Sequence, residues 1–138
     1  MASIEVTIGY AALLGLVFGA LSIIVVVIRG KNNMPYGDGG IEILNRAIRA
    51  HGNFAEWVPI ICLLVAGYEY LGGPARSVHV LMGALVGTRL LHAIGLFSPV
   101  GTPLYFFGRI TGASLSWLVL CAVSVLVLSQ FFYLPAGG

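Results

Sequence analysis

The strongest constraint in this sequence is four long apolar stretches separated by short, turn-rich segments. They cover about residues 4–28, 42–71, 77–96 and 105–132, and a membrane-spanning helix needs about 20 mostly apolar residues. Only 9% of the 138 residues are charged and 59% are hydrophobic, whereas a water-soluble domain uses charge on about a quarter of its positions. The mean hydropathy of +0.99 points the same way. The expectation is an all-α membrane protein, a four-transmembrane-helix bundle forming one domain over residues 1–138. The first stretch lacks the basic leader of a cleavable signal, so it is expected to be retained. The net charge of +2 and the absence of a basic run argue against a nucleic-acid partner.

The connections carry turn chemistry. Gly30 to Gly40 holds Asn32-Asn33, Pro35 and a Gly-Asp-Gly-Gly run, Gly72-Gly73-Pro74 forms a second turn, and Ser98-Pro99 with Thr102-Pro103 a third. Arg29, Lys31, Arg46 and Arg49 flank the first connection, while the second offers only Arg76. The positive-inside rule therefore predicts cytoplasmic first and third connections, with both termini on the non-cytoplasmic side. Small residues recur at helix-packing spacing: Gly15 and Gly19, Gly83 and Gly87, and Gly108, Gly112 and Ser116. Cys62 and Cys121 lie in apolar runs and read as core residues. His51, His79 and His92 have no metal-ligand spacing, so no metal is expected.

The second helix opens with Glu42, Arg46, Arg49, Asn53 and Glu56, spaced four, three, four and three apart. That periodicity puts them on one helical stripe, descending about 21 Å at 1.5 Å per residue. Ionisable groups at membrane depth need partners or a wet crevice. Arg89 and His92 on the third helix, Arg109 early in the fourth and Arg29 at the end of the first are expected at the same end. Glu56 and Arg89 are expected to form a structural ion pair. The sum is cationic and suits a multiply anionic ligand held by charge-assisted hydrogen bonds, beside lipid-facing walls for an apolar one. Arg46 reads as a snorkelling anchor or a site residue, His51 as packing, and Tyr68, Tyr70, Tyr105 and Tyr133 as interfacial belt residues. Pro59 removes a backbone bond to Ala55.

The segment Arg46-Ala-Ile-Arg-Ala-His-Gly-Asn-Phe-Ala-Glu-Trp-Val-Pro59 resembles the second-helix signature of the MAPEG family, which includes the microsomal glutathione transferases and the leukotriene and prostaglandin E synthases. Arg89-Leu-Leu-His92 is similar to that family's third-helix segment, and Arg109 falls where its catalytic arginine opens the fourth helix. The resemblance implies a homotrimer binding glutathione between subunits near the cytoplasmic face. Arg49, Asn53 and Glu56 would hold the tripeptide, with Arg29 and His92 as further contacts, and Arg109 would stabilise its thiolate. A hydrophobic, lipid-derived electrophile would be the second substrate. The sequence departs from the family at Leu96, where some members carry a tyrosine near the thiol, and at Gly52, where some carry a polar residue. The function expected is glutathione transfer to hydrophobic electrophiles, with lipid hydroperoxide reduction as an added activity. A non-enzymatic membrane scaffold of the same fold is the alternative, and a small transporter is a weaker one, since inverted repeats and clearly broken helices are missing.

Overall fold

The computed structural model describes residues 3–133. It contains four helices, α1 (Glu5–Lys31), α2 (Glu42–Tyr70), α3 (Ala75–Phe97) and α4 (Pro103–Tyr133), with no strand among the described residues. All four are long and apolar enough to cross a membrane. Even α3, with 23 residues, reaches about 35 Å at 1.5 Å per residue and covers the hydrocarbon layer. The helices begin and end within three residues of the expected positions. The largest difference is at α1, which continues through Arg29 and Lys31; basic side chains in a last turn complement the exposed carbonyls there. Helix α2 is continuous through Pro59, whose ring lies on its exposed side.

The bundle buries Leu14 of α1, Ile61 and Val65 of α2, Met82 and Leu85 of α3 and Val123 of α4 around one core. Leu16, Leu63, Val80 and Val125 face outward. In water such a surface would be a liability, but in lipid it is the solvated one. Connections of 10 residues or fewer force neighbouring helices to run antiparallel, which gathers the C-termini of α1 and α3 with the N-termini of α2 and α4 at one end. Helix α1 touches α2 and α3, and α4 packs on α3 and α2.

The most extensive contact joins α3 and α4, and glycine makes it possible. A Cβ at Gly95 would stand 2.5 Å from the Arg109 amide nitrogen and 2.8 Å from the Gly108 Cα. One at Gly112 would stand 2.7 Å from the His92 Cβ. The backbones therefore touch directly, as small-residue contacts in lipid allow. The spacing reading of Gly108, Gly112 and Ser116 matches this face. Gly15, Gly19 and Gly87 do not behave alike: a Cβ there would meet nothing within 4 Å, and at Gly83 only the Tyr10 hydroxyl, 3.9 Å away. Those glycines lie away from any close helix contact inside the chain.

At the opposite end, the Glu69 carboxylate caps α1. It accepts from the backbone amides of Val6 (3.0 Å) and Thr7 (2.9 Å) and from the Thr7 hydroxyl (2.6 Å). A helix leaves its first amides unpaired, and a carboxylate satisfies both their hydrogen bonds and their partial positive charge. Tyr68, expected in an interfacial belt, is instead buried in the core; its ring lies against Gly73, where a Cβ would come within 2.6 Å. Tyr70 and Tyr133 are exposed.

Gly95→Ala should lower the stability of the detergent-solubilised protein by about 1–3 kcal/mol or more, because backbone atoms cannot yield as side chains do. Gly15→Ala should stay within about 0.5 kcal/mol of wild type. Equilibrium unfolding in mixed micelles distinguishes the two.

Candidate functional site

The polar stripe of α2 divides into two edges. Residues seven apart on a helix are nearly eclipsed, so Arg46 and Asn53 share one edge and Arg49 and Glu56 the other. The first edge turns inward against α3. The Arg46 guanidinium donates to the Ser98 carbonyl at 2.9 Å and pairs with Glu42 one turn earlier. Asn53 meets Arg89. The second edge turns outward: Arg49 and Glu56 are both exposed, with no side-chain hydrogen bond or ion pair within the described residues.

Arg89 is the buried charge of the bundle, with 2% of its surface exposed. One guanidinium nitrogen donates to Asn53 Oδ1 at 2.7 Å; the other donates to the Gly112 carbonyl at 3.0 Å and to the Ser116 hydroxyl. The Ser116 hydroxyl also lies 2.8 Å from the Thr88 hydroxyl. This corrects the expected Glu56–Arg89 ion pair. Among the described residues the one ion pair is Arg46–Glu42, and the groups around Arg89 are an amide, a carbonyl and two hydroxyls. The reason is angular: Asn53 and Glu56 stand on different edges of α2, and only the inner edge faces α3. An arginine can only donate, so it fixes the Asn53 amide with the oxygen inward and leaves Nδ2 to donate elsewhere.

His92 and Arg109 meet where α3 and α4 touch. His92 is buried, and its Nδ1 lies 3.1 Å from the Arg109 carbonyl. A carbonyl only accepts, so the hydrogen is on Nδ1. The Arg109 side chain is exposed at the end of the bundle that also holds Arg46, and its Nη1 donates to the Tyr105 hydroxyl at 3.0 Å. Tyr105 therefore does more than the belt role read from its position. Its ring lies near two guanidiniums, 6.0 Å from Arg46 and 5.8 Å from Arg109, measured from each guanidinium carbon to the ring centre. Arg29 folds over the first connection, donating to the Pro35 carbonyl at 2.7 Å. That connection is closed by Asp38, which accepts from Asn45 and from the Gly40 amide. These donors, the Asn45 amide above all, hold the Asp38 carboxyl below its usual range. His51 stacks on Phe18, 4.6 Å between ring centres, and belongs to the packing of α1 on α2.

The structure thus brings Asn53, Arg89, His92 and Arg109 to one end of the bundle, and presents Arg49 and Glu56 on its outer face. Two apolar grooves flank them. One, of about 280 Å³, runs between α1 and α2 past Phe18, Ala55 and Pro59. The other, of about 430 Å³, runs between α3 and α4 past Thr88, Leu91 and Leu115. Among the described residues no cluster of histidine, cysteine or carboxylate side chains could hold a metal. Ser116, Thr88 and Ser98 were not singled out for chemistry, since a lone hydroxyl in an apolar helix gives no signal until its neighbour is known. Tyr105 had one available signal: it stands one helical turn before Arg109.

The profile of the MAPEG family matches residues 7–129, which takes in all four helices. The chain belongs to the MAPEG family. It is also 35% identical over 126 residues to a protein named Inner membrane protein YecN in each of two Escherichia coli strains, covering 91% of this chain and 90% of the relative. The chain is an integral, multi-pass membrane protein of this family.

Removing the Asn53 amide strands a buried guanidinium nitrogen. Asn53→Ala should destabilise this MAPEG protein by about 1–3 kcal/mol, whereas Glu56→Ala should leave the fold of the single chain within about 0.5 kcal/mol. Thermal unfolding of both variants in detergent checks the asymmetry.

Proposed function

We propose that this protein is a membrane-bound glutathione transferase that conjugates the tripeptide to hydrophobic electrophiles, with lipid hydroperoxide reduction as an added activity. The observation that carries the reading is a set of exposed ionic side chains, Arg49 and Arg109 toward one end of the bundle and Glu56 midway along α2, without ionic partners among the described residues. Charges at membrane depth need a partner. Glutathione offers two carboxylates, an amino group and a thiol, and these match two arginines and a glutamate by sign. Arg49 would take a carboxylate, Glu56 the amino group, and Nδ2 of Asn53 a carbonyl, with Arg29 a further carboxylate partner at the rim. In this reading His92 acts through the Arg109 backbone and not by contact.

The same outward edge suits a homotrimer in which the tripeptide lies between neighbouring copies. The site would open to the cytoplasm, in keeping with the basic residues around the first connection, and both termini would lie on the other side. The electrophile would approach along the apolar grooves from the lipid. No metal takes part in the reading. Arg109 would favour the thiolate over the thiol, since a nearby cation stabilises the charged form. The thiolate then attacks the electrophilic carbon, and the leaving group departs with the bond's electron pair.

A second reading is a scaffold of the same fold that binds its ligand without turnover. Leu96 favours it: the position is buried and apolar, so α3 brings no hydroxyl to the thiol there.

Calorimetric titration with glutathione should show binding by wild type and a loss of about tenfold or more in affinity for Arg49→Ala, as expected for an unpaired charge-assisted hydrogen bond. Conjugation of a chlorinated nitrobenzene should fall by about 100-fold in Arg109→Ala, the scale of losing an oxyanion-type stabiliser. Equal rates for wild type and Arg109→Ala would remove Arg109 from the chemistry. Binding without turnover across a broad electrophile panel would establish the scaffold instead.

A further inference from the structure

The start of α4 is built to hold one phenol in a fixed place. Pro103 opens the helix with a backbone torsion already suited to it, and the Thr102 hydroxyl accepts from the Tyr105 amide at 3.2 Å. Tyr105 is thus tied to the helix cap, and Arg109 follows one turn later on the same face. The half-buried ring has the guanidiniums of Arg46 and Arg109 both at cation–π distance. Arg46 is itself held by the Ser98 carbonyl and by Glu42, so one of the ring's two cationic neighbours is an anchored, charge-compensated group. The other is Arg109, which has no ionic partner among the described residues.

The hydrogen-bond directions then decide what the hydroxyl can do. Arg109 Nη1 donates to the Tyr105 oxygen at 3.0 Å. A guanidinium has no acceptor, so the phenol's own hydrogen must be given to something other than Arg109. An anion held by Arg109 lies within reach of both groups and can receive both donors. We propose that Tyr105 is a positioning residue of this site: it fixes the Arg109 guanidinium and turns its own O–H toward the anion that Arg109 binds, the glutathione thiolate. This deepens the glutathione reading and rests on it. The phenol reaches the arginine from α4, while α3 carries only the buried Leu96 at its own candidate position. No bond is made or broken at Tyr105. Its hydrogen stays on its oxygen, and the donated hydrogen bond favours the charged form of the sulfur.

Tyr105→Phe isolates the hydroxyl, because the ring and both cation–π contacts remain. The full-length protein in detergent is titrated with glutathione, and the thiolate is followed by its ultraviolet absorbance as a function of pH. Calorimetry with S-methylglutathione, which has no thiol, measures tripeptide binding separately. The expected result is a bound thiol in Tyr105→Phe whose pKa is higher by about one unit, so that about tenfold less thiolate forms at a pH below both values. S-methylglutathione affinity should stay within about twofold of wild type, since the hydrogen bond is made to the sulfur and not to the peptide. Identical thiolate titrations for wild type and Tyr105→Phe would overturn the role of Tyr105 and leave the glutathione reading standing. An equal loss of S-methylglutathione affinity in Tyr105→Phe would also overturn it, by making the residue a general support of the pocket. Failure of wild type to bind glutathione would overturn both.

Discussion

A guanidinium buried among apolar helices obliges its neighbours to supply acceptors, and much of this bundle is arranged around that demand. Arg89 cannot shed its charge easily and is almost wholly buried. It draws the Asn53 amide from α2 and the Gly112 carbonyl and Ser116 hydroxyl from α4. These bonds tie three helices at one depth. The carbonyl of Gly112 is within reach only because α4 lies backbone to backbone on α3, through Gly95, Gly108 and Gly112. A methyl group at any of the three would separate the helices and take acceptors from an arginine whose Nε already has none among the described residues.

The same contact sets the outer site. With α4 pressed against α3, the Arg109 carbonyl accepts from His92, and the Arg109 side chain is delivered to the end of the bundle beside Arg46 and Tyr105. The inner arginine is surrounded by neutral dipoles, and the outer one is exposed. On the proposed reading that division would separate stability from function: Asn53 would serve both, Arg89 the first, and Arg49, Glu56 and Arg109 the second. The opposite end is closed by the Glu69 cap on α1, which joins α1 to a bundle it touches less extensively than α4 does.

Much of this was legible in the order of residues. Four apolar stretches of spanning length leave few arrangements, because lipid admits only helices whose backbone bonds are internal. Short turn-rich connections make neighbours antiparallel, and that alone gathers Arg46, His92 and Arg109 at one end. The stripe on α2 was visible because helical periodicity depends only on position in the chain. The glycine pairs show the limit of such reading. Gly108 and Gly112 lie at the tightest contact while Gly15 and Gly19 meet nothing inside the chain, yet their spacing is the same. Spacing says that a close approach is permitted and not which helix comes near.

Three decisions belonged to the tertiary structure. Glu56 and Arg89 have opposite charges at similar depth, and charge alone suggested a pair. Helix rotation placed Asn53 against Arg89 and turned Glu56 outward. Tyr105 stood at a membrane boundary like Tyr70, and only the approach of α2 to α4 brought its ring within reach of two arginines. Tyr68 had the same local context as Tyr70 and entered the core. The sequence by itself determined the membrane-spanning helices, their alternation and the end at which charge collects, since each follows from local hydropathy and connection length. The tertiary structure decided which charges are bonded inside the bundle and which stand exposed, because that depends on a rotation of each helix about its axis that no single helix specifies alone.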